Sequence, residues 1–160
     1  MKKITFTSSI EVYSKTSELK DDDASLLQVA REAVAHAYAP YSQFKVGAAV
    51  LLENGLTIPG NNQENAAFPL CLCAERVALF AAASQYPNVT VKAIAISAKS
   101  HNQTLDRPVT PCGSCRQAIY ESEFRGKSPI RLILQGETGE IYCIDSVKDI
   151  LPLTFNADFL

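Results

Sequence analysis

Apolar residues recur along the chain in two periods, one typical of helices and one typical of strands. From the acidic residues 21–23, whose carboxylates suit a helix N-terminus, apolar residues recur at i, i+3 and i+4 as far as Pro40, so a helix is predicted there. Two further helices are predicted at about 73–84 and 113–123. Residues 1–20 are polar with weak alternation, a pattern that fits an edge strand or a loose arm.

Five strands are predicted from short apolar runs between turn residues. The nearly continuous apolar run at 46–52 is followed by Asn54-Gly55 and by a second extended segment at 56–62, which indicates an antiparallel hairpin. The other strands are predicted at 91–97, 130–134 and 141–144.

Connection lengths set the predicted topology. Helical crossovers join the second, third and fourth strands, so these three are predicted to be parallel neighbours, because a parallel pair needs a long connection. Short turns make the first and fifth strands antiparallel to their neighbours. The predicted fold is α/β, a three-layer α/β/α domain with a five-stranded mixed sheet whose last strand is antiparallel. Residues 21–160 are predicted to form this single catalytic domain, and residues 1–20 an N-terminal extension.

Composition restricts the class of protein. A chain of 160 residues with 47% hydrophobic and 20% charged residues is typical of one globular domain. The net charge of −2 provides no basic surface for a nucleic acid polymer. No apolar stretch reaches the roughly 18 residues of a membrane span, and the basic start lacks the apolar run of a signal peptide. A cytoplasmic protein is expected, in which cysteines serve as metal ligands or catalytic groups rather than in disulfides.

Three cysteines and one glutamate carry the strongest chemical signal. Cys112 and Cys115 have the C-x-x-C spacing that places two sulfurs on one face of a helical turn, where zinc can bind both. Cys73 would be a third ligand, which leaves one tetrahedral position for water, as in catalytic zinc sites. Glu75 is well placed to exchange protons with that water. Both cysteine groups precede predicted helices at the carboxyl ends of strands, where open α/β sheets place their sites, so the pattern predicts hydrolysis.

The neighbours of these residues modify the prediction. The C-x-x-C pair alone would suit a redox pair or half of a structural zinc site, and the C-x-E pattern at 73–75 argues against both. Three thiolates would leave the zinc site negatively charged, so Arg76 is predicted to compensate by donating to a cysteine sulfur from outside the ligand set. Cys71 is predicted to be a small buried side chain near the site rather than a fourth ligand that would close the water position.

Five motifs in order along the chain carry a family resemblance. They are YAPYSQFKVGAA (38–49), NQENAAF (62–68), CAER (73–76), PCGSCRQ (111–117) and LP (151–152). Together they resemble the small zinc-dependent cytidine deaminases, whose signature is that of zinc deaminases in general. The resemblance covers roughly residues 25–155. Cysteine at position 73, where relatives that act on nucleotides and polymers usually carry histidine, points to the branch that acts on free nucleosides.

The resemblance implies a role for the metal ligands and for the glutamate. Cys73, Cys112 and Cys115 would hold one zinc ion per subunit, which lowers the pKa of a bound water. Glu75 would be the catalytic residue, which takes the proton of the water and delivers it to N3 of cytosine and then to the departing amine.

The resemblance also implies contacts with the substrate. Phe44 would stack on the pyrimidine, although its spacing alone would suit a core residue. Asn62 and Glu64, which alternate on an extended segment and so project to the same side, would bind the ribose hydroxyls. The backbone around Ala66 and Ala74 would contact the edge of the base.

The implied reaction is the zinc-dependent hydrolytic deamination of cytidine and 2′-deoxycytidine to uridine and 2′-deoxyuridine plus ammonia, in pyrimidine salvage. The implied partners are a small-molecule nucleoside and three further copies of the chain, in a homotetramer with shared active sites, and neither a nucleic acid polymer nor a membrane. One alternative is a deaminase of a nucleoside antibiotic related to cytosine. Another is a non-enzymatic zinc-stabilised binding module, with four protein ligands and no role for Glu75. Editing of RNA or DNA is a third, which the acidic balance disfavours.

Overall fold

A six-stranded mixed sheet, ordered β1-β6-β5-β4-β2-β3, runs through the computed structural model, which describes all 160 residues. The strands are β1 (Glu11–Tyr13), β2 (Phe44–Leu52), β3 (Thr57–Asn61), β4 (Val91–Ser100), β5 (Arg131–Gln135) and β6 (Ile141–Ile144), and the helices are α1 (Asp21–Ala33), α2 (Ala74–Gln85) and α3 (Gly113–Gly126). The predicted α/β fold with a mixed sheet is confirmed. The predicted number of five strands is wrong, because β1 pairs antiparallel with β6 as a sixth strand at the edge.

Alternate residues of the strands supply two cores, one on each face of the sheet. On one face, Ala48 of β2 packs in a cluster with Ala78 of α2 and Ile119 of α3. On the other face, Ala49 packs in a cluster with Leu27 of α1. All five side chains are fully buried. The helices therefore cover both faces, which gives the three layers.

Two glycines let the helices approach the sheet closely. A Cβ on Gly47 of β2 would lie 2.1 Å from the carbonyl oxygen of Ala30 in α1. A Cβ on Gly60 of β3 would lie 2.7 Å from the carbonyl oxygen of Ala74 in α2. Because α2 rests directly on the β3 backbone, the position of its first turn is fixed relative to the sheet.

The order of the strands differs from the prediction in one respect. β2 lies between β3 and β4 and pairs antiparallel with both, so β3 and β4 are not the parallel neighbours that were predicted. The crossover helix α2 joins β3 to β4, which lie on either side of β2. β2 is buried on both faces, as is typical of a central strand, and it pairs along both of its edges. The parallel pairing of β4 with β5 and the antiparallel pairing of β5 with β6 follow the predicted connections.

The first helix is shorter than predicted. α1 ends at Ala33 and continues as a single 3₁₀ turn at Val34–His36, so the prediction that it reaches Pro40 is wrong. Tyr38 is already extended and forms a bridge with Gln63, and the residue before a proline is pushed away from helical geometry. No helix in the structure combines the length and the apolar composition needed to cross a membrane.

Candidate metal and catalytic site

The site lies at one end of the sheet. Because β2 runs antiparallel to β3 and to β4, the amino end of β2 lies between the carboxyl ends of the other two strands. The segments that leave β3 and β4 at this end lead into α2 and α3 respectively. The two cysteine groups lie at the N-termini of these helices, so strands that are not adjacent deliver them to one place.

The three cysteines form a cluster of metal-ligand geometry. Cys73 is the N-cap residue of α2, Cys112 is the N-cap residue of α3, and Cys115 lies in the first turn of α3. The Sγ atoms of Cys73 and Cys112 are 4.0 Å apart, those of Cys112 and Cys115 are 3.5 Å apart, and all three lie within 4.8 Å of one another. Sulfurs bound to one tetrahedral zinc at about 2.3 Å are roughly 3.7 Å apart. This donor set suits zinc and leaves a fourth position free of protein ligands.

Hydrogen bonds within the cluster distribute the thiol protons unevenly before a metal binds. The thiol of Cys115, the guanidinium of Arg76 and the thiol of Cys112 lower the pKa of the Cys73 thiol to about 5. The hydrogen bond to Cys73 and burial both raise the pKa of the Cys115 thiol. The lowered pKa favours the thiolate form of Cys73, and zinc binding releases the protons that remain on the other thiols.

Arg76 lies in the first turn of α2 and contacts this cluster. Its Nη2 atom lies 3.9 Å from the Sγ of Cys73 and 3.4 Å from the carbonyl oxygen of Cys71. Its Nε atom is buried and has no hydrogen-bond partner. The hydrogen bond to the Cys73 sulfur raises the pKa of Arg76, so the guanidinium is a permanent positive charge beside the thiolates.

Glu75 is buried in the first turn of α2, with 5% of the residue exposed. Burial, and to a smaller extent the negative charge of Cys73, raise the pKa of its carboxyl group above the ordinary value. A carboxyl group that binds and releases a proton nearer to neutral pH is suited to general acid–base chemistry. Its carboxyl group also interacts with the Cys115 thiol through a hydrogen bond, so it lies beside the metal cluster.

Asn62 joins the segment after β3 to the start of β2. Its Oδ1 atom accepts a hydrogen bond from the N–H of Val46 at 2.8 Å, and its Nδ2 atom donates to the carbonyl oxygen of Phe44 at 2.9 Å. Phe44 is half-buried and is the first residue of β2. The amide keeps one N–H and one lone pair free of these bonds, which are enough for one hydroxyl group.

Glu64 closes the turn that precedes β2. Its Oε2 atom accepts hydrogen bonds from the N–H groups of Tyr41 at 2.9 Å and of Ser42 at 3.3 Å. Hydrogen bonds from the Ser42 hydroxyl and from both backbone groups lower the pKa of Glu64. Of the two residues expected to present backbone groups, Ala66 is exposed and Ala74 is fully buried.

Cys71 lies outside the metal cluster. Its Sγ atom accepts a hydrogen bond from the N–H of Asn65 at 3.2 Å and donates to the carbonyl oxygen of the same residue at 3.6 Å. The side chain is half-buried rather than buried, and it holds the 65–71 loop closed. The three-sulfur cluster is therefore complete without it.

Arg116 positions the segment that leads into α3, a role that the motif spacing did not assign to it. Its Nε atom donates to the carbonyl oxygen of Pro111 and its Nη1 atom to that of Ile150, both at 2.8 Å. The residue directly before Cys112 is thereby tied to the C-terminal part of the chain. The only signal in the sequence was the position of Arg116 next to a predicted ligand.

Comparisons with known proteins agree on one family. Residues 20–127 match the family model described as the cytidine and deoxycytidylate deaminase zinc-binding region. The chain is 42% identical to the cytidine deaminase of Halalkalibacterium halodurans over 137 residues, which cover 86% of this chain and 96% of that protein. It is 39% identical to the cytidine deaminase of Sporosarcina psychrophila over 140 residues, 87% of this chain and 95% of that protein. The crystal structure of cytidine deaminase from Burkholderia pseudomallei superimposes with a TM-score of 0.70 at 39% identity, and covers 82% of this chain and 97% of that chain.

Proposed function

The chain belongs to the family of zinc-dependent cytidine and deoxycytidylate deaminases, and we propose that its cysteine cluster and Glu75 catalyse the hydrolytic deamination of cytidine and 2′-deoxycytidine. The observation that carries this proposal is the cluster of three Sγ atoms within 4.8 Å of one another, beside a carboxylate that is buried on the same helical turn as Cys73. The reaction consumes one water and yields uridine or 2′-deoxyuridine and ammonia. These products suit a role in pyrimidine salvage.

Glu75 is the proposed proton carrier. Zinc, when bound by Cys73, Cys112 and Cys115, lowers the pKa of water at its open position. The Glu75 carboxylate accepts one proton of this water and donates it to N3 of the cytosine ring. Once the water oxygen is bonded to C4, the carboxylate accepts the remaining hydroxyl proton and donates it to the amino group, which leaves as ammonia. Its raised pKa supports this role, because the same group must act both as a base and as an acid.

The substrate contacts are proposed at the end of β2 and after β3. Phe44 stacks on the pyrimidine ring, and Asn62 and Glu64 bind the ribose hydroxyls. The backbone at Ala66 and Ala74 contacts the edge of the base. The proposal is supported by the hydrogen bonds that fix Asn62 and Glu64 to the β2 segment, since preorganised polar groups lose less entropy when a ligand binds.

A substrate panel on the metal-analysed enzyme tests this function. Cytidine, 2′-deoxycytidine, a cytosine-type nucleoside antibiotic and a cytosine-containing single-stranded oligonucleotide are followed by ultraviolet absorbance, with zinc content measured on the same sample. We expect one zinc per chain and turnover of the two free nucleosides. Turnover of the antibiotic without turnover of cytidine would mean that the antibiotic, and not cytidine, is the substrate. Zinc binding without any turnover would favour the non-enzymatic binding module.

A homotetramer with shared active sites is proposed for the assembly. It is supported by large apolar side chains on the segment before Cys73 and on α2, where Phe68, Leu70 and Phe80 are 68%, 66% and 54% exposed. A single chain leaves these side chains in water, and a partner subunit would cover them. Light scattering after size exclusion measures the assembly, and a monomer at assay concentration would contradict it. A reducing compartment such as the cytoplasm is proposed because the thiols must stay reduced to bind zinc.

A further inference from the structure

Four basic side chains meet in a cavity on the α1 face of the sheet. The cavity measures about 390 Å³, and Arg31, Lys45, Lys99 and His101 lie in its wall. We call these four residues the basic pocket. A concentration of positive charge stands out on a chain whose net charge is −2.

The basic pocket is separate from the cysteine site. Lys45 shares a face of β2 with Gly47 and Ala49, which pack against α1, whereas Phe44 lies on the opposite face. On β4, Lys99 likewise follows Ala93 and Ala95, which belong to the core under α1. The two sites therefore lie back to back across the same end of the sheet.

The two lysines of the basic pocket repel each other. Lys45 and Lys99 are directly opposite across the antiparallel β2–β4 pair, an arrangement that destabilises a sheet when the charges are alike. The carboxylate of Glu137 lies 2.8 Å from the Nζ atom of Lys99 and offsets part of this charge. Lys45 and Arg31 form no ion pair in the structure. The pocket thus has more positive than negative charge at close range.

Arg31 is held in a fixed orientation without using all of its donors. Its Nε and Nη2 atoms both donate to the side-chain oxygen of Gln135, Nε at 3.1 Å, and Nη2 also donates to Thr16 at 3.0 Å. Both partners are neutral, and the Nη1 atom makes no hydrogen bond to the protein. A half-buried guanidinium that is held in this way, with the N–H groups of Nη1 free, is preorganised to bind an oxyanion.

We propose that the basic pocket binds a phosphate group, either as free phosphate or as the phosphoryl group of a nucleotide. Arg31 and Lys45 are the principal ligands, because neither has an acidic partner, and Lys99 and His101 complete the ring of donors. A bound phosphate removes the repulsion between Lys45 and Lys99. The cavity is larger than one phosphate ion, so the site also has room for part of the molecule that carries the group.

Calorimetric titration of the zinc-loaded enzyme at constant ionic strength tests this site. Inorganic phosphate and uridine 5′-monophosphate are titrated into the wild type and into Lys45→Gln, and we expect at least about tenfold weaker binding to the variant, since a charge-assisted contact is lost. The control is Lys92→Gln, which removes the same charge at the other end of β4, where the side chain pairs with Asp22 at 3.3 Å. Lys92→Gln should bind like the wild type.

The titration outcomes separate the alternatives. Tighter binding of the nucleotide than of phosphate identifies the nucleotide as the ligand source, and equal binding identifies the free ion. Binding that is equally strong in Lys45→Gln places the anion elsewhere, for example at the zinc, and overturns the proposal, as does the absence of saturable binding at millimolar concentration.

Urea unfolding separates ligand binding from a purely structural role of the lysines. If the pocket binds phosphate, we expect Lys45→Gln to be at least as stable as the wild type without phosphate, because the repulsion between Lys45 and Lys99 is relieved. Added phosphate should then stabilise only the wild type. If the lysines merely complement the carbonyl end of α1, the variant is less stable under both conditions, and this result would also overturn the proposal.

Discussion

The Nη2 atom of Arg76 lies 3.9 Å from the Sγ of Cys73, three residues earlier on the same helix. Cys73 is the cysteine whose pKa is lowered, so the cation sits against the sulfur that carries negative charge first. Three thiolates on a divalent ion give a net charge of −1, which would weaken the ion as a Lewis acid. A guanidinium at this distance opposes that effect without occupying a ligand position.

Arg76→Ala should therefore impair catalysis more than metal binding. We expect kcat for cytidine to fall by about tenfold or more while each chain retains its zinc under mild conditions, since outer groups commonly affect activity or metal affinity by about 10–100-fold. Parallel kinetics and metal analysis measure the two effects. Arg125→Ala, at an exposed position in the last turn of α3, is the control. Loss of zinc as fast as in a cysteine variant would contradict this division of roles.

Glu75→Gln should keep the zinc and the fold but lose most of the activity. The amide is similar in shape and cannot carry a proton, and general acid–base steps contribute about 10²–10⁴-fold to rates. We expect kcat to fall by at least that range, measured together with zinc content and the unfolding midpoint. Glu121→Gln, an exposed glutamate on α3, should behave like the wild type. Unchanged activity in Glu75→Gln would remove this residue from the mechanism.

Cys71→Ser and Cys115→Ser should separate the two kinds of cysteine near the site. The Sγ atom of Cys71 bonds only to the backbone of Asn65, so its replacement should leave zinc at one per chain and the cytidine KM within about twofold of the wild type. Cys115 is buried in the three-sulfur cluster, so its replacement should release the metal. Metal analysis after dialysis against a weak chelator makes the comparison. Zinc loss from Cys71→Ser would show that a fourth sulfur takes part.

Glu11 should contribute to stability in a pH-dependent way. Its Oε2 atom lies 2.6 Å from Nη2 of Arg131, and this hydrogen bond lowers the pKa of Glu11. Because the pKa is lower in the folded state, the contribution is present above the unfolded pKa and is lost as pH falls through the folded value. Since the side chain is half-exposed, Glu11→Gln should lower the free energy of unfolding at pH 7 by at most about 1 kcal/mol.

Urea unfolding of zinc-free wild type and Glu11→Gln at pH 7 and at about pH 3 measures this contribution. The difference between the two proteins should shrink at the lower pH. Glu53→Gln, in the exposed turn after β2 and without an ion pair, should show no such difference. A difference for Glu11→Gln that is the same at both pH values would mean that Arg131 does not stabilise the charged carboxylate.

Periodicity predicted which segments are helices and strands, but it did not predict which strands are neighbours. A crossover helix usually joins adjacent parallel strands, and here it passes over β2. The information was present in the sequence: the continuous apolar run at 46–52 is typical of a central strand, whereas Pro59 and Gly60 suit an edge. β1 was harder to recognise, because three residues of mixed polarity carry little pattern.

The cysteine cluster could be predicted because metal coordination restricts residue type, spacing and helix position at once. The supporting contacts could not, since they depend on tertiary geometry. Asn62 and Glu64 were expected to bind a sugar, a role that stays a prediction. The structure shows that they hold the backbone of the segment that carries Phe44. Arg116 reaches a carbonyl oxygen 34 residues away, a distance along the chain over which no local pattern operates.

The short strand β1 forms the edge of the sheet opposite to β3. It occupies the outer edge of β6, and Arg131 links it to Asp23 of α1 and to Asp145. The family match begins at residue 20, so a chain shortened to that match would leave the backbone groups of β6 unpaired. An open edge of this kind recruits strands from other chains. In the full chain, the three residues of β1 keep this edge of β6 paired.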